Sequence, residues 1–478
     1  MACAADVLWA ALAAGGTRAA VRDAAIELSA AQLLQDVRAR RARLDALGAQ
    51  RVALALDNGA DWVAWDLALL DSGRVCVPVP GFFSPQQQAH VLDSAGIDTL
   101  IGDPIVAARV AGFEETDEDI FQRVPRTLPA LPAGTVKITY TSGTTGQPKG
   151  AVHTQANLLA NMAIAAQVQE ITERDTVLTA LPLFHVGGLC IQTLPALSRG
   201  ATVLLHRRFD PGAVFDALAA SRPTLTLQVP ATLQALVQHP RWARADLSCL
   251  RALWAGSSLL PADLLRACHA RGLPVCNVYG STETGPFSIA LPPTHARSHL
   301  GSCGWPAPGV EVSLRDPQGA PVDADVVGEV WVRAPNVARR YWPEDPSFRN
   351  SAVAAGLIDV NYLVVCPTMV VEGDFDGNYI FGEKYFLKLY RKLFKETNPE
   401  VEMIEFLTEH SDFAFIPAIP LASKLFFQRL KSDGDKLYLR NVSVGPFWAA
   451  SSPSIWWSHS LTTASTHTLN MREESGPP

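Results

Sequence analysis

Short apolar runs of strand length alternate with helix-like stretches through the first 300 or so residues of a chain of 478. Arg51–Asp57 (RVALALD) and Val75–Val79 are two such runs, and Trp62–Leu70 between them has helical composition. The same pattern predicts strands at Val136–Tyr140, Thr176–Leu181, Ala201–Leu205, Thr224–Val229, Leu250–Trp254 and Pro274–Tyr279. Among the helices, Pro261–Arg271 opens with proline in its first turn and stops before Gly272. Strands separated by helices need crossover connections, so the expected fold class is α/β, with largely parallel sheets and helices outside them. Beyond about residue 300 the pattern turns to strands alone, Val310–Leu314 and Gly328–Arg333, separated by the turn-rich DPQGAP. These predict a small β subdomain closing the α/β body.

Composition adds limits. With 48% hydrophobic and 18% charged residues the chain can bury large cores in two or more domains, which excludes disorder of the whole. A net charge of -7 gives no overall attraction for nucleic acid or acidic lipid, so neither is an expected partner. The eight cysteines contain no CxxC pair and read as reduced thiols of a cytoplasmic protein rather than a disulfide framework or zinc site. The apolar stretch Val7–Ala14 follows Asp6 and has no basic residue before Arg18, unlike a signal peptide. No apolar run approaches the roughly 20 residues that span a bilayer, and a soluble protein is expected.

A seam crosses the chain near Arg349–Gly356. Lys137 and Lys149 are the only lysines before residue 350, and seven follow it; ten of the 19 phenylalanines lie in the last 128 residues. The expected organisation is therefore a body at 1–349, a linker at 350–376, a separate α+β fragment at 377–440 and a Ser-, Thr- and Trp-rich, poorly ordered tail at 441–478.

The segment with the most specific chemistry is Thr139–Gly150, TYTSGTTGQPKG, which follows the apolar VKI. Thr141, Ser142, Thr144 and Thr145 supply hydroxyls, Gly143 and Gly146 let the backbone approach an anion closely, and Lys149 brings a positive charge. Together they form a phosphate cradle. It differs from a Walker loop, because no Ser or Thr follows the lysine and Pro148 removes a backbone donor. A second polar segment, Asn277–Gly285 (NVYGSTETG), ends a predicted strand. Tyr279 offers an aromatic face for a purine, Gly280 the turn after it, Thr282 a hydroxyl for an α-phosphate, and Glu283 a hard oxygen ligand for magnesium. The carboxyl ends of strands, where both segments lie, are where α/β sheets bind ligands.

TSGTTGQPKG resembles the phosphate loop of the adenylate-forming enzymes, the superfamily of acyl- and aryl-CoA synthetases, luciferases and peptide-synthetase adenylation domains. NVYGSTETG is similar to the second signature of that family, and Leu181–Gly188 (LPLFHVGG) and Trp254–Ser258 (WAGSS) to its substrate-side segments. Gly301–Gly309, Gly328–Val332 and Tyr341-Trp342 continue the resemblance, which covers about residues 1–349. It implies an AMP-forming carboxylic acid:CoA ligase that uses ATP, Mg2+ and coenzyme A. It also implies that His185 borders the acid tunnel and that Gly256 and Ser257 line the adenine and acid pocket.

The resemblance stops at the seam. The family continues from Tyr341-Trp342 to a ribose-binding aspartate, a hinge and a lid domain with a catalytic lysine, and residues 350–478 do not resemble these. Gly373-Asp374 is only a chance likeness of the ribose motif. Residues 377–409 resemble instead the N-terminal lobe of maltokinase and trehalose-synthase-associated kinases, which implies phosphate contact by Lys388 and an ion pair with Glu402. No catalytic-loop aspartate and asparagine follow it. Three readings stand open at this point: a ligase impaired by loss of its lid, a nucleotide-binding pseudoenzyme or fusion product, and a sugar-kinase fragment.

Overall fold

The structure, a computed structural model, describes residues 3–141, 147–258, 260–316, 320–321 and 329–343, and beyond them the backbone of strands at 363–370, 372–373, 379–380, 428–433, 436–440 and 467–470. Two large sheets carry the body. Their strands are β1 (Ala19–Arg22), β2 (Glu27–Ser29), β3 (Arg51–Ala55), β4 (Val75–Pro78), β5 (Thr99–Gly102), β6 (Glu114–Asp117), β7 (Ile120–Gln122), β8 (Thr135–Thr141), β9 (Lys149–Thr154) and β10 (Thr176–Thr179). They continue with β11 (Thr202–Leu205), β12 (Leu225–Gln228), β13 (Ala252–Gly256), β14 (Val275–Tyr279), β15 (Ile289–Ala290), β16 (Ser302–Pro306), β17 (Glu311–Arg315), β18 (Glu329–Arg333) and β19 (Tyr341–Trp342).

One sheet runs β2-β1-β11-β10-β12-β13-β14-β15-β16, followed by Tyr379–Ile380 and Glu372–Gly373. Its strands from β1 through β14 pair in parallel, and the pairs from β14 to β16 are antiparallel. The other runs β19-β9-β8-β4-β3-β5-β7-β6, with β8, β4, β3 and β5 parallel. The α/β class with largely parallel sheets is thus the observed architecture, and β17 pairs antiparallel with β18 in a small three-stranded sheet completed by Leu363–Val370.

Each parallel strand is a nearly unbroken apolar run because helices cover it. Phe215, Leu233, Leu253, Leu265 and Val275 form one core, and Val77, Val91, Leu92, Leu100, Ile138 and Trp342 another. The helix Ala60–Asp71 is buried from Trp62 to Leu70, including Asp66, so its residues face protein on all sides. The chain divides into two compact units, one of Met1–Pro367 with Val371–Phe381 and another of Thr368–Val370 with Gly382–Pro478. In the second, 428–433, 436–440 and 467–470 form an antiparallel three-stranded sheet. Among the described residues no helix is long and apolar enough to cross a membrane, and the seven described cysteines are unbridged.

Candidate functional site

The segment TSGTTGQPKG joins two antiparallel strands: β8 and β9 pair from Thr135↔Thr154 to Thr141↔Lys149. This hairpin brings Thr141 beside Lys149, whose carbonyl accepts from Thr141 Oγ1 at 3.4 Å. Ser142, Gly143, Thr144, Thr145 and Gly146, the middle of the loop, lie outside the described residues. Lys149 is half-buried, with Nζ 5.7 Å from the centroid of the Tyr341 ring, a cation–π distance.

Tyr341 links the two signature segments. Its ring lies beside Lys149, and its Oη donates to Glu283 Oε1 at 2.6 Å. Glu283 is further held through its backbone carbonyl, which accepts from Ala338 N–H at 2.8 Å. Its oxygens therefore have a fixed place at the turn after β14. The turn itself is closed by its own hydroxyls: Ser281 N–H donates to Thr284 Oγ1 at 2.8 Å and Thr284 N–H to Ser281 Oγ at 3.3 Å. No helix begins there, so these hydroxyls serve the turn alone. Thr282 and Tyr279 are buried, and Gly280 is packed so tightly that a Cβ would lie 1.5 Å from the Pro286 carbonyl oxygen. Gly280 thus serves close backbone approach inside the protein.

Gly256 ends β13 and likewise abuts the Val278 carbonyl, where a Cβ would come within 2.3 Å. Ser257, next to it, is exposed at φ +76, a conformation that L-residues avoid and that clusters at functional turns. His185 reaches solvent, yet its Nδ1 accepts from Gly187 N–H at 3.1 Å and the surrounding protein bulk lowers its pKa. Both facts fit a ring lining a cleft. Behind it, Gly187–Thr193 forms a π-helix, a conformation that recurs at functional sites. Phe82, well exposed, has its ring 5.7 Å from that of Phe184.

The donor set fits a magnesium ion that arrives with nucleotide phosphates. Glu283 supplies one carboxylate, and magnesium commonly uses one or two together with phosphate oxygens. Among the described residues there is no cluster of three or more His, Cys, Asp or Glu that would hold a metal unaided.

Sequence reasoning missed three buried asparagines behind these segments. Asn157 and Asn161 lie one turn apart on the helix Gln155–Val168, and Asn336 lies in the turn after β18; all are at most 4% exposed. A buried amide at i and i+4 of an otherwise apolar helix was the available signal. Lys388 and Glu402, the expected kinase-like pair, lie outside the described residues.

The model of the AMP-binding enzyme family matches residues 8–342. Indoleacetate–CoA ligase of Aromatoleum aromaticum is 41% identical over 270 residues, 56% of this chain and 53% of that protein. The aligned region therefore spans about half of that relative's length. Feruloyl-CoA synthase of an Amycolatopsis species is 35% identical over 334 residues, 68% of each chain. The structure of O-succinylbenzoate coenzyme A synthetase from Bacillus subtilis in complex with ATP and magnesium superposes with TM-score 0.65 and 25% identity over 78% of each chain. A family match over 8–342, together with the fold, makes this chain a member of the AMP-binding enzyme family.

Proposed function

We propose that the chain activates an aryl carboxylic acid with ATP and magnesium, giving an acyl-adenylate and pyrophosphate, and that coenzyme A then takes the acyl group as a thioester with release of AMP. The observation that carries this reading is the line Lys149–Tyr341–Glu283, which sets a cation over the ring of one tyrosine and a carboxylate on its hydroxyl. A substrate carboxylate oxygen attacks the α-phosphorus, and the bond to pyrophosphate breaks. Lys149, the hydroxyls of Thr141, Ser142, Thr144 and Thr145, and the backbone at Gly143 and Gly146 neutralise the phosphates. Thr282 meets the α-phosphate, and Tyr279, Gly280, Gly256 and Ser257 border the purine. Glu283 would hold magnesium, which supplies charge neutralisation at the phosphates. His185 faces the acid. The relatives named for indoleacetate and ferulate support an aryl acid.

The test offers ATP·Mg with indole-3-acetate, ferulate or 2-succinylbenzoate, with and without coenzyme A, and measures pyrophosphate and thioester separately. Lys149→Ala removes a charge-assisted contact to phosphate, a loss of about 1.5–3 kcal/mol, and is expected to weaken ATP·Mg binding about 10- to 150-fold by calorimetry. Unchanged affinity in that variant would remove the central claim. A second reading, nucleotide binding without ligase activity, draws support from the end of the family match at 342, before the compositional seam. Tight ATP binding with no acid-dependent pyrophosphate would favour it.

A further inference from the structure

The segments assigned to nucleotide and to acid meet behind the site on one buried side chain. Asn161 is 1% exposed and stands on the inner face of the helix Gln155–Val168. Its Nδ2 donates to the Cys190 carbonyl at 2.7 Å, within the π-helix Gly187–Thr193 that follows His185. Its Oδ1 accepts from Phe287 N–H at 3.2 Å, two residues past the end of NVYGSTETG. One partner is a carbonyl and the other an N–H, so the amide can face only one way. Asn336, fully buried, completes the joint: its Nδ2 lies 3.5 Å from Asn161 Oδ1 and 3.1 Å from the Phe287 carbonyl. The backbone of Asn336 also presses on Gly285, where a Cβ would meet its carbonyl oxygen at 2.2 Å. Two residues on, Ala338 N–H holds the Glu283 carbonyl.

The π-helix is the element that a buried amide can move. Its wider turn displaces carbonyls from the regular α-helical ladder. Two successive ones are taken up by side chains, Cys190 by Asn161 and Ile191 by Gln169 Nε2 at 2.8 Å. The side-chain amide of Gln169 donates to Ile191 and to its own helix, at Ala165. Asn161 alone of the two also touches the segment of Thr282 and Glu283.

We propose that Asn161, braced by Asn336, is a positioning residue that couples the nucleotide segment at 279–287 to the acid-side segment at 185–193, so that ATP·Mg binding orders the wall on which the acid is seated. The inference rests on the functional reading above and adds to it a named route between the two substrate sites. Such coupling is a difference in free energy between sites and must run through a physical contact with two arrangements. Asn161, with one donor and one acceptor each committed to a different segment, supplies the contact, and the π-helix Gly187–Thr193 is the element whose two arrangements it would bias.

The experiment follows backbone hydrogen exchange in the full chain with and without α,β-methylene-ATP and Mg2+, and needs no knowledge of the acid. In the natural sequence the nucleotide is expected to slow exchange in peptides covering 279–287 and also, by about fivefold or more, in peptides covering 187–193. Asn161→Asp keeps the shape and the acceptor but loses the donor to Cys190. It should retain protection at 279–287 and lose the nucleotide-induced change at 187–193. Gln169→Leu removes the neighbouring amide from the same π-helix and should leave that change in place, which separates coupling from simple loss of a buried hydrogen bond. Should Asn161→Asp fail to fold, Asn336→Ser, which withdraws the brace, is expected to give the same selective loss. Nucleotide-induced protection at 187–193 that survives in either asparagine variant, or that is absent from the natural sequence although nucleotide binds, overturns the inference alone. A natural chain that binds no nucleotide overturns the functional reading and this inference with it.

Discussion

The two lysines of the first 350 residues illustrate how setting decides role. Lys149 is half-buried at the mouth of the hairpin, beside Tyr341. Lys137, in the middle of β8, is buried and paired with Asp66 of the covering helix. Burial alone would lower the Lys137 pKa, but the Asp66 carboxylate outweighs it and raises the value, so the lysine stays charged. Their cost of desolvation is large, and the pair is held by geometry rather than by any visible part in the chemistry. His153 faces Lys137 across the β8–β9 ladder, and neither of its ring nitrogens has a hydrogen bond. Burial and then the Lys137 charge push its pKa down from 6.5 to about 4, while the nearby Thr282 backbone opposes the shift without ordinary hydrogen-bond geometry. The sign follows directly: the unfolded chain takes a proton near 6.5 and the folded one only near 4. Stability is full above 6.5 and falls between 6.5 and 4, by on the order of 3 kcal/mol. His153→Gln, which cannot titrate, is expected to flatten that part of the acid limb in urea unfolding measured from pH 7.5 to 4.5; an unchanged slope would place the sensitivity elsewhere. At this scale the sequence was half legible. TSGTTGQPKG and NVYGSTETG stand out by residue type and by resemblance, whereas Asn161, Asn336 and His153 carry no motif and acquire meaning only from what the fold sets beside them.

Among elements, legibility followed burial on two faces. The predicted strand Thr224–Val229 is observed as Leu225–Gln228, and Pro274–Tyr279 as Val275–Tyr279, because central parallel strands leave an unbroken apolar trace. The edge hairpin β6–β7 escaped prediction for the opposite reason: Glu114–Asp117 is exposed throughout and reads as a loop. The return strand β9 was hidden by the polar loop before it, and the π-helix by an apolar sequence with no distinguishing period. The turn after β14 was marked out by its residue types, but its geometry depends on a close approach that sequence cannot display. Gly280 has its backbone against Pro286, and an added Cβ would sit 1.5 Å from a carbonyl oxygen, too near for any side-chain adjustment to absorb. Gly280→Ala must therefore displace the 279–287 turn, at a cost of about 1–3 kcal/mol or more in stability. Binding of ATP·Mg should suffer further, because Thr282 and Glu283 move with the turn. Thermal unfolding together with calorimetric titration measures both; a variant with natural stability and affinity would show that the turn tolerates the intrusion.

For the whole molecule, the compositional seam and the end of the family match nearly coincide, at 349–356 and 342, yet the boundary between the two compact units falls later. Residues 371–381 belong with the body, and the reason is visible in the sheet: Tyr379–Ile380 pairs antiparallel with β16, and Glu372–Gly373 pairs with Tyr379–Ile380. Composition cannot detect this, because two-residue strands bury too little to leave a pattern. It makes the choice of end point for a shortened chain a test of organisation. A chain of residues 1–349 leaves the outer edge of β16 unpaired, and unpaired edges invite association with other chains. A chain of residues 1–381 keeps that edge covered. All the site residues proposed above precede 343, so both chains are expected to bind ATP·Mg with an affinity within about threefold of the full chain, a difference of less than about 1 kcal/mol. The shorter one should differ in solution behaviour, associating at lower concentration in sedimentation velocity. Equal association by both chains would remove any role for 371–381 in protecting the edge. Loss of nucleotide affinity in the 1–381 chain would place part of the site beyond residue 381, and the division into body and fragment would have to be redrawn.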